Sequence, residues 1–564
     1  MRIEDINNVL EGLSFIHIET PFKVDDGSTI IGAVGILVEG MPSALVFQTS
    51  ISSYYPYKVQ GIEPIQFRNN SLMEYPHIMA GGSLCLHTSY WVDPIQRLKS
   101  DFLQLRDWVV KYYVNKETDV HYEHIVVEPS TVDDCYFAIQ FTHFEKKVEA
   151  DKYGYAFLAP IMDGDYNGKV VKNFVVQSIG DANGNNRIKC LWSSKYDELK
   201  YILCPYVVLS KIPCKYNKFA LDDFKDLNDY FTSEQLKFLH SYENRFNKKL
   251  GGYPVPILLG YKIPSGELHW IASLSKVGNF PTEGIPETKN GIKTGRWLTK
   301  FYQDRIQWAM TYDASYNLFF GRGAFCETFT KKKILVIGVG AIGSMFAKTL
   351  VKCGCTNISL LDYDLKKPEN ICRSEYTFLT GVTDKVTELS AELSAISPYV
   401  EIKCLPNQYD FAIKSSKFNK QYKEYTINEL DSYDLIFDCS TDDDLMHILE
   451  ELNLKPEIIN ISITNHASEL VCAFSPNIEH FVNIVFNNML HNDDLDMYEP
   501  TGCWSPTFKA SYNDIALMIQ YAIRHIYNML NGTEMKQNFI LRDTDNGLKI
   551  LKAEFNLQMQ QNSD

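Results

Sequence analysis

The fold class this sequence predicts is a multidomain one, α/β and α+β in character, and three observations carry it. At 564 residues the chain exceeds what a single hydrophobic core organises, and its length fits roughly three or four domains. Its early part sets short strand-like runs ahead of one amphipathic helix. Its late part places an apolar strand, a glycine-rich turn, an amphipathic helix and a second apolar strand in succession, the opening of a parallel sheet.

Taken in order, the chain begins with a short helix, then strands over 29–38 and 44–49 joined by the turn Glu39-Gly40-Met41-Pro42, a hairpin signal. Tyr55-Pro56-Tyr57, Tyr75-Pro76-His77-Ile78 and Gly81-Gly82 punctuate the next stretch, and Cys85 follows before Trp91, Pro94 and a helix expected over 95–114. From 121 to 324 the sequence is least informative. Strand-like runs at 173–179, 201–209 and 255–259, separated by Gly, Pro, Asn and Asp, indicate a mixed or β-rich linking domain. The segment Asp181-Ala182-Asn183-Gly184-Asn185 reads as a solvated turn, because the rest of a calcium loop's twelve-residue ligand pattern is missing.

At 331 the pattern sharpens. Ile334 to Ile337 is a fully apolar strand, Gly338, Gly340 and Gly343 follow in G-x-G-x-x-G spacing, and a second strand over 358–361 ends at Asp362. Such glycines let a backbone approach a phosphate at a helix N-terminus, and an acid at the end of the second strand suits a ribose hydroxyl. This is a Rossmann-like βαβ, shared by dehydrogenases and methyltransferases. A dehydrogenase, however, has no use for Asp364, Asn370, Arg373 and Lys385 crowded just beyond the ribose acid. An enzyme that adenylates a carboxylate does: Arg373 and Lys385 neutralise a triphosphate and Asn370 holds ribose or phosphate oxygens. Farther on, Asp438 and Asp442 follow another apolar strand, where acids would hold a Mg²⁺ that neutralises phosphates.

Composition narrows the classes. A net charge of −15 argues against broad nucleic-acid binding. No apolar run reaches the length of a membrane span, and the N-terminal MRIEDINNVLEGL lacks a signal peptide's apolar core, so a cytoplasmic location with no membrane partner is expected. The thirteen cysteines include no C-x-x-C. They fit reduced thiols, and no zinc is expected.

These residues resemble the ThiF/MoeB and ubiquitin-activating family, with its D-x-D, N-x-x-R, lysine and D-C-T-D-N motifs, over roughly 331–474. Asp438-Cys439-Ser440-Thr441-Asp442-Asp443 stands in place of D-C-T-D-N. An ungapped alignment anchors Asp438, whereas a one-residue insertion puts the family's metal acid on Asp442, the choice favoured here. The resemblance implies ATP and Mg²⁺, a homodimer, and an arginine just ahead of the first strand that reaches an ATP in the paired subunit; Arg322 holds that place, or is a surface arginine.

The N-terminal 1–120 resembles the ubiquitin-conjugating α+β fold, in which Y-P-F precedes H-P-N and the nucleophilic cysteine follows the Asn by eight residues, as Cys85 follows His77. His77 stands where the family has the Asn that steadies an oxyanion. A neutral imidazole N–H makes the same bond; alternatively His77 is structural and His87 helps. Gly502-Cys503-Trp504-Ser505-Pro506-Thr507-Phe508 resembles the thioester-cysteine loop of bacterial activating enzymes fused to a conjugating domain. The layout of 1–120 conjugating-like, 121–324 linking and 325–564 ThiF-type adenylation is similar to the fused enzymes of CBASS antiphage systems. That resemblance implies a thioester relay through Cys503 then Cys85. It also implies as acyl donor the C-terminus of a cGAS/DncV-like nucleotidyltransferase or a ubiquitin-like protein, and as acceptor a target protein amine. Two other readings stand beside it: a sulfur-carrier activator of the ThiF/MoeB kind, and a non-catalytic nucleotide sensor.

Overall fold

The computed structural model describes residues 1–25, 28–86, 91–118, 124–289, 292–489 and 509–551. The chain divides into two compact units, Met1–Asp313 and Ala314–Asp564.

In the first unit the helix Ile3–Glu11 precedes an antiparallel meander of Ile16–Val24, Ile30–Ile36, Leu45–Ile51 and Ile65–Arg68, in that spatial order. Period-two patterning is clear in Leu45–Ile51, where Phe47, Thr49 and Ile51 are buried and Val46 and Gln48 exposed. The helix Pro94–Trp108 closes one face of the meander, with Leu98, Phe102 and Leu105 fully buried. Asp93 caps it by accepting from the Ile95 N–H at 2.9 Å, and proline at the first helical position suits a place where no N–H partner is needed. The expected single helix to 114 changes pitch: Val109–Val114 continues as a π-helix.

The linking region is built on a mixed sheet of ten strands among the described residues. Its edge strands are brought in from far along the chain, as Met310–Asp313 pairs in parallel with Tyr136–Phe141. The helix Ser233–Leu250 lies on this sheet through Leu236, Leu239 and Tyr242. Asp181 Oδ1 accepts from the Asn183 and Asn185 N–H groups at 2.9 Å, so that segment is an Asx-stabilised turn. The Lys218 ammonium donates to the Tyr75 carbonyl and Phe219 joins the core of the meander, tying the two parts of this unit together.

The second unit is a sheet of eight strands among the described residues, in the order Glu401–Cys404, Asn357–Leu361, Lys333–Ile337, Leu435–Asp438, Glu457–Thr464, Glu469–Phe474, Phe539–Arg542 and Lys549–Leu551. The first five are parallel and the rest antiparallel. Ile334, Val336, Ile358 and Leu360 are wholly buried, as strands covered on both faces require. The helices Ala341–Lys352, Lys385–Ile396 and Tyr512–Leu530 contribute to the core on one face. Asp443–Glu451 and Ile478–Met489 cover the other. The chain order reverses at Lys333–Ile337, whose neighbours are Asn357–Leu361 and Leu435–Asp438, and such a switch point opens a crevice at the strands' carboxyl ends. Among the described residues, no helix is long and apolar enough to cross a membrane.

Candidate active site

The crevice at the switch point is a cavity of about 390 Å³ whose wall includes Gly338, Gly340, Asp362, Asp364, Asn370 and Arg373. Lys385, Asp410, Ser440 and Asp442 complete its polar wall. The glycines are needed for distinct reasons. Gly338 has φ +76°, and a Cβ there would lie 2.6 Å from the Ser440 backbone nitrogen, so the turns after Lys333–Ile337 and Leu435–Asp438 touch at this point. A Cβ on Gly343 would strike the Gly338 carbonyl. Gly340, by contrast, has open space where a Cβ would be and begins the helix Ala341–Lys352 as its N-cap. The helix's unpaired N–H groups and positive dipole end therefore face an open approach.

Asp362 holds two backbone turns at once. Its Oδ2 accepts from the Val339 N–H and its Oδ1 from the Asp364 N–H, both at 2.8 Å. Burial raises the Asp362 pKa above the usual carboxylate range, while the Lys385 charge and these two bonds oppose that rise. For Asp364 burial also pulls upward, but the Lys385 hydrogen bond and charge outweigh it and hold the pKa low. Lys385 Nζ donates to Asp364 Oδ2 at 2.7 Å. Asn370 Oδ1 accepts from the Lys367 N–H at 2.8 Å, bending the chain so that Asn370 and Arg373 both reach the cavity wall.

The two candidate metal acids differ in what holds them. Asp438 is 1 % exposed. Its Oδ1 accepts from the Ser440 N–H at 3.1 Å and hydroxyl at 2.6 Å, and its Oδ2 from Asn460 Nδ2 at 2.9 Å. Asp442 lines the cavity and caps the helix Asp443–Glu451 through the Leu445 N–H, with its other oxygen 2.6 Å from Lys414 Nζ. Among the described residues no group of three or more His, Cys, Asp or Glu is arranged to hold a metal ion. Arg322 is exposed and is not part of the cavity wall.

In the first unit, the eight-residue spacing of His77 and Cys85 closes a small hairpin. The Cys85 N–H donates to the His77 carbonyl at 2.7 Å, and Met79 N–H to Ser83 carbonyl at 2.8 Å. Gly82, at φ +74°, turns the tip where a Cβ would collide with the Asn70 side chain. His77 itself has φ +57°, its ring 5.2 Å from that of Tyr112, and Trp108 Nε1 donates to the Pro76 carbonyl at 3.1 Å. Cys85 is half-buried. Cys503 and His87 lie outside the described residues.

Sequence reasoning missed Asp410 and Lys414 on the helix Gln408–Ser415, and the buried pair Lys366 and Glu388, which are 22 residues apart and carry no motif. The i, i+4 spacing of Asp410 and Lys414 on one helix was the available signal for the former.

Comparison with known proteins gives the following likenesses. Residues 312–456 match the model of the ThiF family. An ATP-dependent ubiquitin transferase-like protein, Cap2, of Enterobacter hormaechei subsp. hoffmannii is 27% identical over 297 residues, covering 50% of this chain and 48% of that protein. Ubiquitin-like modifier-activating enzyme 5 of Aedes aegypti is 32% identical over 115 residues, covering 20% of this chain and 28% of that one. The chain thus spans about half the length of the bacterial relative. Among solved structures, E. coli MccB with ATP aligns at 12% identity and a TM-score of 0.28, covering 40% of this chain and 64% of that chain; a score that low carries no inference here. Residues 312–456 are thus similar to the ThiF family, and the chain that holds them is similar to ubiquitin-activating and ubiquitin-transferase-like enzymes.

Proposed function

We propose that this protein adenylates the C-terminal carboxylate of a protein donor with ATP and passes the acyl group through thioesters to an amine. The observation that carries this reading is the convergence of Gly340, Asp362, Asn370, Arg373 and Lys385 on one cavity at the switch point. The donor's carboxylate oxygen attacks the α-phosphorus and pyrophosphate leaves. Arg373 and Lys385 offset the charge of the leaving phosphates, Asp362 accepts from the ribose, and the glycine turn admits the phosphates to the helix N-terminus.

Mg²⁺, when bound, neutralises phosphate oxygens as pyrophosphate departs. Asp442 would hold that ion, since its carboxylate lies on the cavity wall and would exchange the Lys414 ammonium for the metal, whereas Asp438 is buried off that wall. Asp438 then serves by shaping the Ser440 turn.

In the relay, the Cys503 thiolate attacks the acyl carbon and AMP leaves. The Cys85 thiolate next displaces Cys503, and the target amine finally displaces Cys85. Support for a conjugating-like role of 1–120 is the four-stranded meander, the His77–Cys85 hairpin and the helix Pro94–Trp108 in that order. By the resemblance, the donor is a cGAS/DncV-like nucleotidyltransferase, the adenylating units pair as a homodimer and Arg322 serves the partner's site. Intact-mass measurement of the full chain with ATP, Mg²⁺ and a co-encoded donor protein tests the relay. Cys503→Ala should retain pyrophosphate exchange and lose both thioesters, and Cys85→Ala should keep the Cys503 thioester and lose the amide. Amide formation at the native rate in Cys85→Ala would refute the conjugating role; native charging of Cys85 in Cys503→Ala would refute the relay.

A further inference from the structure

Lys366 and Glu388, buried and outside the cavity wall, form an ion pair that no step of the proposed chemistry uses. Lys366 is 0 % exposed and Glu388 5 %. The Lys366 ammonium donates to the Thr377 carbonyl at 2.8 Å, the Thr380 hydroxyl at 2.6 Å and Glu388 Oε1 at 3.0 Å. An ammonium has three protons, and here each has an acceptor. Glu388 also accepts from the Thr377 and Thr380 hydroxyls.

The three segments joined at this ammonium carry Asp364, Asn370, Arg373 and Lys385 of the cavity wall. Lys366 sits two residues past Asp364 on the strand Leu365–Lys366, which pairs with Thr383–Asp384 immediately before Lys385. Thr377 and Thr380 end the loop that carries Asn370 and Arg373. Glu388 stands on the helix Lys385–Ile396, nearly one turn beyond Lys385 and so on the same side. We infer that Lys366, through Glu388, is a positioning residue that fixes Arg373 and Lys385 at the separation a polyphosphate requires. The inference rests on the nucleotide-site reading above.

A buried ion pair is weak support for stability alone, because desolvation offsets much of its attraction. Its three-segment geometry instead sets register among groups that act on phosphate, where a displacement of about 1 Å costs on the order of 10²-fold in rate. A positioning role therefore has a signature that a structural one lacks: it distinguishes phosphate from nucleoside.

The test uses the full chain with ATP and adenosine as probes in calorimetric titrations at fixed Mg²⁺. In Lys366→Met the Kd for ATP should rise about tenfold or more while the Kd for adenosine stays within about twofold. Lys366→Met combined with Glu388→Met removes the stranded carboxylate, so its melting temperature should recover towards that of the wild type while ATP binding stays weak. Parallel weakening of both ligands in Lys366→Met would overturn the inference, as would a double variant that regains wild-type ATP affinity. If the wild-type chain binds ATP no more tightly than adenosine, the phosphate-site reading fails first and this inference with it. A wild-type preference for ATP that survives in Lys366→Met defeats the positioning role alone.

Discussion

The three glycines of the turn separate fold from ligand binding, because the structure assigns them different obstacles. At Gly338 an alanine meets two costs. Its φ of +76° lies in the left-handed region, worth about 1–2 kcal/mol for a residue with a Cβ, and the new carbon would lie 2.6 Å from the Ser440 nitrogen, a backbone atom. Restoring an ordinary contact of about 3.5 Å requires the Ser440 turn to retreat by about 1 Å. Strain of this kind adds roughly 1–3 kcal/mol, giving about 2–5 kcal/mol of destabilisation in all. Gly343→Ala has the same character, since its Cβ meets the Gly338 carbonyl. Gly340→Ala meets nothing within 4 Å, so stability should change by no more than about 0.5–1 kcal/mol. It does add a methyl at the mouth of the helix N-terminus, where a phosphate would approach. Urea unfolding should rank Gly338→Ala and Gly343→Ala far below the wild type and leave Gly340→Ala close to it, and ATP titration of Gly340→Ala should show affinity lowered about tenfold or more. A Gly340→Ala protein that is stable and binds ATP like the wild type would refute the approach of phosphate to this turn.

Three further outcomes are expected. Lys385→Ala should lower pyrophosphate exchange by on the order of 10²-fold, measured with ATP, Mg²⁺ and the donor protein, because it removes a charge that offsets the leaving phosphates; native exchange in a folded variant removes Lys385 from the site. In the first unit His269 stacks on His124 at 4.0 Å between ring centroids, and burial, then the His124 charge, push its pKa down to about 4, with Asp313 opposing. Its folded pKa is below the unfolded value near 6.5, so the unfolded chain takes up the proton first and stability falls as pH drops from 6.5 towards 4, by up to about 3 kcal/mol. Melting curves at pH 7.5 and pH 4.5 should show a smaller acid loss in His269→Phe, and an unchanged loss counts against the pair as its source. Reducing gels of charging reactions should release the Cys85 adduct and spare the amide; a Cys85 adduct that survives thiol reagent is no thioester.

Much of the second unit was legible because local signals agreed with the tertiary outcome. The apolar run that became Lys333–Ile337 had no competing period, and the glycines after it admit few alternatives. The two inner strands of the first meander were readable for the same reason, falling at Ile30–Ile36 and Leu45–Ile51 against expectations of 29–38 and 44–49, while the outer strands Ile16–Val24 and Ile65–Arg68 were not expected. The linking region resisted because its sheet is assembled from non-local pairs. Nothing near Tyr136–Phe141 announces a parallel partner at Met310–Asp313, and strand-like runs specify faces without specifying neighbours.

At the site, the sequence supplied the residue types but not their loads, and two lysines show why. Lys366 and Lys385 lie in one charged neighbourhood, and composition treats them alike. Yet the three protons of Lys366 are all donated to protein acceptors, so it has nothing left for a ligand. Lys385 is also largely buried, but it makes one side-chain bond among the described residues, to Asp364. It can keep that bond and still offer two protons to phosphate oxygens, so nucleotide entry does not require the ion pair to break. The Asp364 carboxylate holds the ammonium aimed before any ligand arrives, which lowers the cost of organising the site when the phosphates come. A saturated lysine off the cavity wall and an unsaturated one in it are thus two halves of one arrangement, and only the count of acceptors around each nitrogen tells them apart.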